Sequence, residues 1–261
     1  MGIGRSYQHI LMIAAVWAVL FFIAYLGLVL NQDDVNFIKM PFTRSTVRPR
    51  SAVRPRYVFV DLGANRADSL DIFLQRREAK FQYEFPRPEW ARHDEADIYL
   101  FEGNPGFNEA LVEAKQRCLL EGINVNIFPS TIVDVRDGTR TFFLDTVNHD
   151  HDYWGSSTYA HHQDALKSGS NGTELTAVDI SRWLLMNTLP HDFVVVKMDI
   201  EGSEYDVIPH MADMGASSVI DYLFVEWHYT LPEQDAIQRA QVAADTLVAN
   251  GVNMPHYDSP S

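Results

Sequence analysis

With 261 residues and 46% apolar side chains, the chain can build one medium domain with a substantial core and still leave segments outside it. Its net charge is −14, unevenly spread: residues 1–56 hold seven of the 21 basic and two of the 35 acidic side chains, which leaves 14 basic against 33 acidic downstream. A domain that acidic repels polyanions, so nucleic acid is excluded as an expected partner. The one cysteine, Cys118, excludes an intrachain disulfide and a cysteine-based zinc site.

Ile10 to Leu30 is a run of 21 residues without a charge. As a helix it would span roughly 31 Å, the thickness of a bilayer core. Gly27-Leu-Val-Leu-Asn31 offers no good small-residue cleavage site, so an uncleaved signal anchor is expected at 10–30 behind a short tail at 1–9. Residues 31–56 are polar and basic, with Pro41, Pro49 and Pro55, and read as a stalk. The folded domain is expected at 57–261. Lys39, Arg44, Arg48 and Arg50 follow the span while only Arg5 precedes it, and a Lys/Arg count alone favours a cytoplasmic domain. The sequon Asn171-Gly172-Thr173 favours a luminal one. The anchor-and-stalk layout resembles that of Golgi glycan-modifying enzymes, which sets the expectation of a luminal domain in the Golgi or endoplasmic reticulum.

The domain opens on Tyr57-Val-Phe-Val-Asp61-Leu-Gly63-Ala64-Asn65-Arg-Ala67. A buried strand ends in an acid, a turn of small residues follows, and a helix begins with Leu70 and Leu74 inward. Residues 79–96 read as an insertion. A second strand, Asp97–Phe101, delivers Glu102, placed to accept hydrogen bonds from a ribose. A helix follows with Phe107, Leu111, Ala114 and Cys118 on one face. A third strand is expected near Val125–Pro129, and Ile132–Leu144 reads as a hairpin around Asp137-Gly138.

Residues 145–175 form a polar, aromatic loop with His149-Asp-His-Asp-Tyr-Trp154 and His161-His162. Alternating His and Asp in a loop fix no ligand geometry, so no metal site is assigned and a substrate lid is expected. Leu175–Asp179 is a short strand running into a helix at Ser181–Met186. The β-branched run Phe193–Lys197 then delivers Asp199 and Glu201 to a glycine turn and a helix, which Pro209 should kink or cut short. Ser218–Val225 is the next strand, ending in Glu226-Trp-His228. Thr230 and Glu233 form a capping-box pattern for a last helix stopped by Asn250-Gly251. The remaining residues leave room for one short strand, at Asn253–Tyr257.

Taken in order, Asp61-x-Gly-Ala-Asn, Glu102-Gly-Asn-Pro, Ala177-Val-Asp179, Lys197-x-Asp-x-Glu-Gly-x-Glu204 and Val225-Glu-Trp-His228 resemble the FkbM family of S-adenosylmethionine-dependent O-methyltransferases. The likeness covers about 57–228. Ala67 stands where the family usually has glycine, Glu-Gly-Asn-Pro replaces Glu-Pro-x-Pro, and the end of the sheet is short. The resemblance implies an α/β, Rossmann-like methyltransferase fold, doubly wound on a mostly parallel sheet. It also implies methyl transfer to a hydroxyl-bearing acceptor, a glycan or small molecule. It puts S-adenosyl-L-methionine on Asp61, Gly63, Ala64, Asn65 and Glu102. Asp199, Glu201, Glu226 and His228 are the candidates for acceptor-side catalysis. A non-catalytic, membrane-tethered binding protein on a degenerate fold of this kind is the alternative.

Overall fold

The computed structural model describes residues 54–149 and 153–257. The expected membrane span, most of the stalk and Asp150–Asp152 lie outside the described residues. Among the described residues no helix is long and apolar enough to cross a membrane.

In chain order the elements are β1 (Tyr57–Leu62), α1 (Asp68–Phe73), β2 (Asp97–Phe101), α2 (Asn108–Leu120), β3 (Val125–Phe128), β4 (Thr131–Asp134) and β5 (Gly138–Phe142). Then come α3 (Gln163–Lys167), β6 (Thr173–Asp179), α4 (Ile180–Asn187), β7 (Phe193–Met198), α5 (Glu204–Asp213), β8 (Tyr222–Val225) and α6 (Gln234–Ala249). The main sheet has the order β3-β2-β1-β7-β8, and every pairing in it is parallel.

Period-two alternation explains why both faces are covered. Val58, Val60 and Leu62 of β1 pack with Leu184 of α4, Val207, Ile208 and Met211 of α5 and Leu247 of α6. Tyr57 and Phe59 point the other way, to Leu70 and Phe73 of α1, Leu111 and Cys118 of α2, and Phe224. A strand buried on both faces needs a near-continuous apolar run, and β1 and β7 have one that only Asp61 and Lys197 interrupt. Chain order reverses between β1 and β7, which opens a crevice at the carboxyl ends of the strands.

Six expectations are corrected or refined. The stretch 132–144 is not a hairpin: β6 lies between β4 and β5, parallel to the first and antiparallel to the second. That insertion gives both strands a full ladder and closes a small core of Ile132, Phe142 and Ala177. The insertion at 79–96 reaches the core, where Phe85 is fully buried among Phe59, Phe73, Tyr83, Phe224 and Tyr257. Helix α5 runs through Pro209 to Asp213. An interior proline costs ~3 kcal/mol. The buried side chains of Val207, Ile208 and Met211 each contribute about 1.5–3 kcal/mol and outweigh it. Strand β8 starts only at Tyr222, after a 3₁₀ turn at Ala216–Ser218. Helix α6 starts at Gln234, and its N-cap Glu233 makes no side-chain capping bond. The chain end adds a single parallel bridge, Tyr222 to Asn253, rather than a strand.

Candidate active site

The turn after β1 is shaped for close approach. Gly63 has φ +84°, and a Cβ there would lie 1.8 Å from the carbonyl oxygen of Asp199. Only glycine lets β1 and β7 close at this point. The Gly63 and Ala64 N–H groups both donate to the Phe101 carbonyl at 3.0 Å, which ties the turn to β2. Asn65 continues in the left-handed region at φ 48°.

Its N–H donates to Glu102 Oε2 at 2.7 Å, and the Asn104 N–H donates to Glu102 Oε1 at 2.5 Å. The carboxylate is thereby fixed on the cleft wall with lone pairs left over. Burial pushes it up to about 7, against the pull of those backbone bonds. Gly63, Ala64, Asn65, Glu102, Asn104 and Phe142 line the first half of the cleft.

Asp61 is placed differently from the rest of the expected cofactor set. It is fully buried and sits behind the cleft wall. Neither of its oxygens has a hydrogen-bond partner, and its counter-charge is Lys197 Nζ at 3.5 Å. Burial pushes its carboxyl up to about 6. Lys197 also donates to the Gly63 carbonyl at 3.0 Å and to Asp199 Oδ2 at 3.2 Å. Burial works against its charge, but Asp199 and Asp61 outweigh it and hold the ammonium well above its usual range. Lys197 therefore joins the cofactor turn to the acceptor-side acids, a role not foreseen in the sequence reading. Its signal was there: a lysine at an inward position of a β-branched run.

Asp199, Glu201 and Glu226 line the second half of the cleft with Tyr153, Trp154, Thr158 and Ser203. Glu201 has φ 49°, a left-handed backbone uncommon for a residue with a side chain. Ser157 Oγ holds that backbone by donating to the Glu201 carbonyl at 2.6 Å. Burial foremost raises the Glu201 carboxyl, while His162 and His228 draw it back.

His228 sits beside the cleft. Its Nδ1 is 3.1 Å from Glu204 Oε1, and its Nε2 is 3.4 Å from Glu201 Oε2 and 3.8 Å from Asp199 Oδ1. Glu204 is fully buried. It also accepts the Ile200 and Gly202 N–H groups at 2.8 Å. Burial opposes a charge on His228, but Glu204, Glu201 and Asp199 outweigh it and push the ring up to about 10. Among the described residues, Asp199, Glu226 and His228 have metal-like spacing, with ligand atoms within 4.8 Å of one another. The imidazolium brings its own positive charge to that group.

Residues 153–162 lie along the cleft as a strap. Asn104 Nδ2 donates to Ser156 Oγ at 3.0 Å, and Thr158 Oγ1 lies 2.8 Å from Ser203 Oγ. Asp145, itself buried, accepts from the Val147 and Asn148 N–H groups at 3.0 Å and from Gly155 at 3.3 Å. The contacts of Ser156, Ser157 and His162 were not foreseen, because their partners come from distant parts of the chain. His149 pairs with Tyr153.

A doubly wound parallel sheet, with a glycine turn and strand-end acids at its switch point, defines the Rossmann-like methyltransferase class. Residues 61–249 match the methyltransferase FkbM domain, and the chain belongs to that family. It is a methyltransferase by that membership. No curated protein matches it, and no solved structure does.

Proposed function

We propose that the protein is an S-adenosylmethionine-dependent O-methyltransferase acting on an acceptor hydroxyl. The observation that carries this reading is Glu102: a buried carboxylate on the cleft wall, held by two backbone N–H groups beside a glycine turn. Those residues fit the cofactor. Glu102 would take the ribose hydroxyls, Gly63 and Ala64 would flank the chain beyond the ribose, and Asn104 and Phe142 would border the base. When bound, the cofactor supplies an electrophilic methyl group on a sulfonium.

On the acceptor side, Glu201 is the proposed base. Its carboxylate lines the cleft and is raised toward the pH at which it works. His228 is already protonated near neutrality, so its part is to hold Glu201 and Asp199 rather than to accept a proton. Asp199 and Glu226 complete an acidic wall that attracts a sulfonium. Correct placement of the two reactants supplies the larger share of the rate, on the order of 7–11 kcal/mol.

Calorimetric titration of the full chain with S-adenosylhomocysteine tests the cofactor. Removing hydrogen bonds to a charged group costs ~1.5–3 kcal/mol, so Glu102→Ala should bind at least ~10-fold more weakly. Equal affinity of the two proteins would overturn the assignment.

The cellular setting is proposed on sequence grounds. The uncharged run at 10–30 and its stalk support a membrane anchor, and the sequon supports a luminal domain with a glycan acceptor. Asn171 is exposed on the loop before β6, as glycosylation requires. A glycosidase-induced mobility shift that disappears in Asn171→Gln is the expected result. No shift in the wild type would move the domain to the cytoplasmic side.

A further inference from the structure

Two imidazoles meet one oxygen of Glu201. His228 Nε2 reaches Glu201 Oε2 at 3.4 Å from beyond β8, and His162 Nε2 reaches the same oxygen at 3.4 Å from the strap.

The tautomer of His162 follows from its second contact. Its Nδ1 accepts the Asp164 N–H at 3.3 Å, at the start of α3. A nitrogen that accepts carries no hydrogen, so the hydrogen of the neutral ring is on Nε2, facing Glu201. The ring is largely enclosed, with 13% of its side chain exposed. Ser157 and Thr158 fasten the same strap to Glu201 and Ser203, and His161 Nε2 lies 2.7 Å from the Leu231 carbonyl.

We propose that His162 is a positioning residue for Glu201: it donates Nε2–H to Oε2, so the acceptor-side carboxylate is correctly aimed only when the strap lies across the cleft. This rests on the reading of Glu201 as the base. The ring has two separable duties. Nδ1 caps α3, which is structural, and Nε2 aims Glu201, which is functional. The strap therefore carries part of the catalytic arrangement, and closure over an acceptor and readiness of the base become one event. The titratable groups facing Glu201 are Asp199 from its own turn, His228 from beyond β8, and His162 from the strap.

The two duties can be split by amide substitution. An Asn side chain at 162 places a polar atom near the Nδ1 position and preserves the cap. A Gln side chain places its NH₂ near the Nε2 position and preserves the donor. The experiment is a pH titration of full-length protein labelled with ¹³C at the glutamate carboxyls, with the Glu201 signal assigned by its loss in Glu201→Gln. Removal of a donor to the carboxylate favours its protonated form. His162→Asn is therefore expected to move the Glu201 midpoint to higher pH while thermal stability and S-adenosylhomocysteine affinity stay at wild-type values. His162→Gln is expected to keep the Glu201 midpoint and to lose some stability. A Glu201 midpoint unchanged in His162→Asn would overturn the proposal, and so would equal shifts in the two variants. Either result leaves the base reading intact. That reading fails separately if Glu201 titrates in the wild type like an exposed glutamate.

Discussion

At the β1–β2 edge, the groups proposed to hold the cofactor lie within a few residues of two strand ends: Gly63, Ala64 and Asn65 after β1, Glu102 and Asn104 after β2. At the β7–β8 edge the wall of the same cleft is assembled from afar. Glu201 is held by Ser157, 44 residues away in sequence, by His162 from the same strap, and by His228 from beyond β8. A site that recognises an invariant ligand can be encoded locally, in strand–turn–helix units that fold as one piece. A site that must admit and enclose an acceptor draws on a loop that can differ without disturbing the sheet. Lys197 is the point where the two halves meet, since it touches the Gly63 carbonyl, Asp61 and Asp199 together.

The largest expected effect follows from that junction. Lys197→Met keeps the length of the side chain and removes the charge. It leaves Asp61, fully buried, without its cation. Losing one partner of a buried pair costs roughly 3–5 kcal/mol. The pH dependence supplies the sign. The Asp61 carboxyl already stands above its ordinary value, at about 6, even with Lys197 present. Its protonated form is tolerated when buried and its ionised form is not. In the variant, stability should be nearest to wild type at low pH and fall further behind as the pH rises through and beyond 6. Urea unfolding midpoints at pH 5 and pH 8 measure this. A pH-independent deficit would show that Lys197 acts through packing alone, and the two halves of the cleft would then not be electrostatically joined.

This contrast also explains what could be read in the sequence. The order of strand-end acids located the sheet edge, the glycine turn after β1 and the place of Glu102 on the cleft, because each depends on a contiguous pattern. The placement of β6 between β4 and β5 was missed, since Asp137-Gly138 is a sound local turn signal and nothing local records which strand fills the gap. Phe85 was missed for the same reason: a proline-flanked insertion carries no period, and its burial is decided by Phe59, Phe73 and Phe224. His228 was identified, but its charge was not, because the deciding partner is Glu204, placed by a helix start 24 residues earlier. Tertiary partners set both the strand order and the protonation state.

A smaller effect, confined to the cofactor half, comes from Glu102. Its carboxyl stands at about 7, raised by burial. The ionised form is the better ribose acceptor, so S-adenosylhomocysteine affinity should rise between pH 5.5 and pH 8 and level off above the titration. The unliganded protein should trend the other way. A group whose folded value is raised adds stability below its unfolded value, and that contribution is lost as the pH rises through about 7. Calorimetry and thermal unfolding of the same samples would show the opposed slopes. Affinity flat across this range would remove Glu102 from the binding contacts and leave it a structural clasp between the two turns.

The smallest effect separates the two halves by backbone alone. Ala67 is buried at φ 69° and ψ 31°, a left-handed conformation held just before α1. A Cβ in that region costs roughly 1–2 kcal/mol. Ala67→Gly relieves the strain, but glycine also gives the unfolded chain more freedom, worth about 0.4–1 kcal/mol. The net expectation is a gain of up to about 1 kcal/mol, read as a higher urea midpoint with an unchanged slope. Glu201 also has a left-handed backbone, at φ 49°, but there the side chain lines the cleft. Glu201→Gly should release the same kind of strain and still abolish methyl transfer. If Ala67→Gly instead weakened S-adenosylhomocysteine binding, the strain at 67 would have to be holding the cofactor turn in place. The left-handed residues at both edges would then serve function, and the local half of the cleft would resemble the assembled half more closely than its hydrogen bonds indicate.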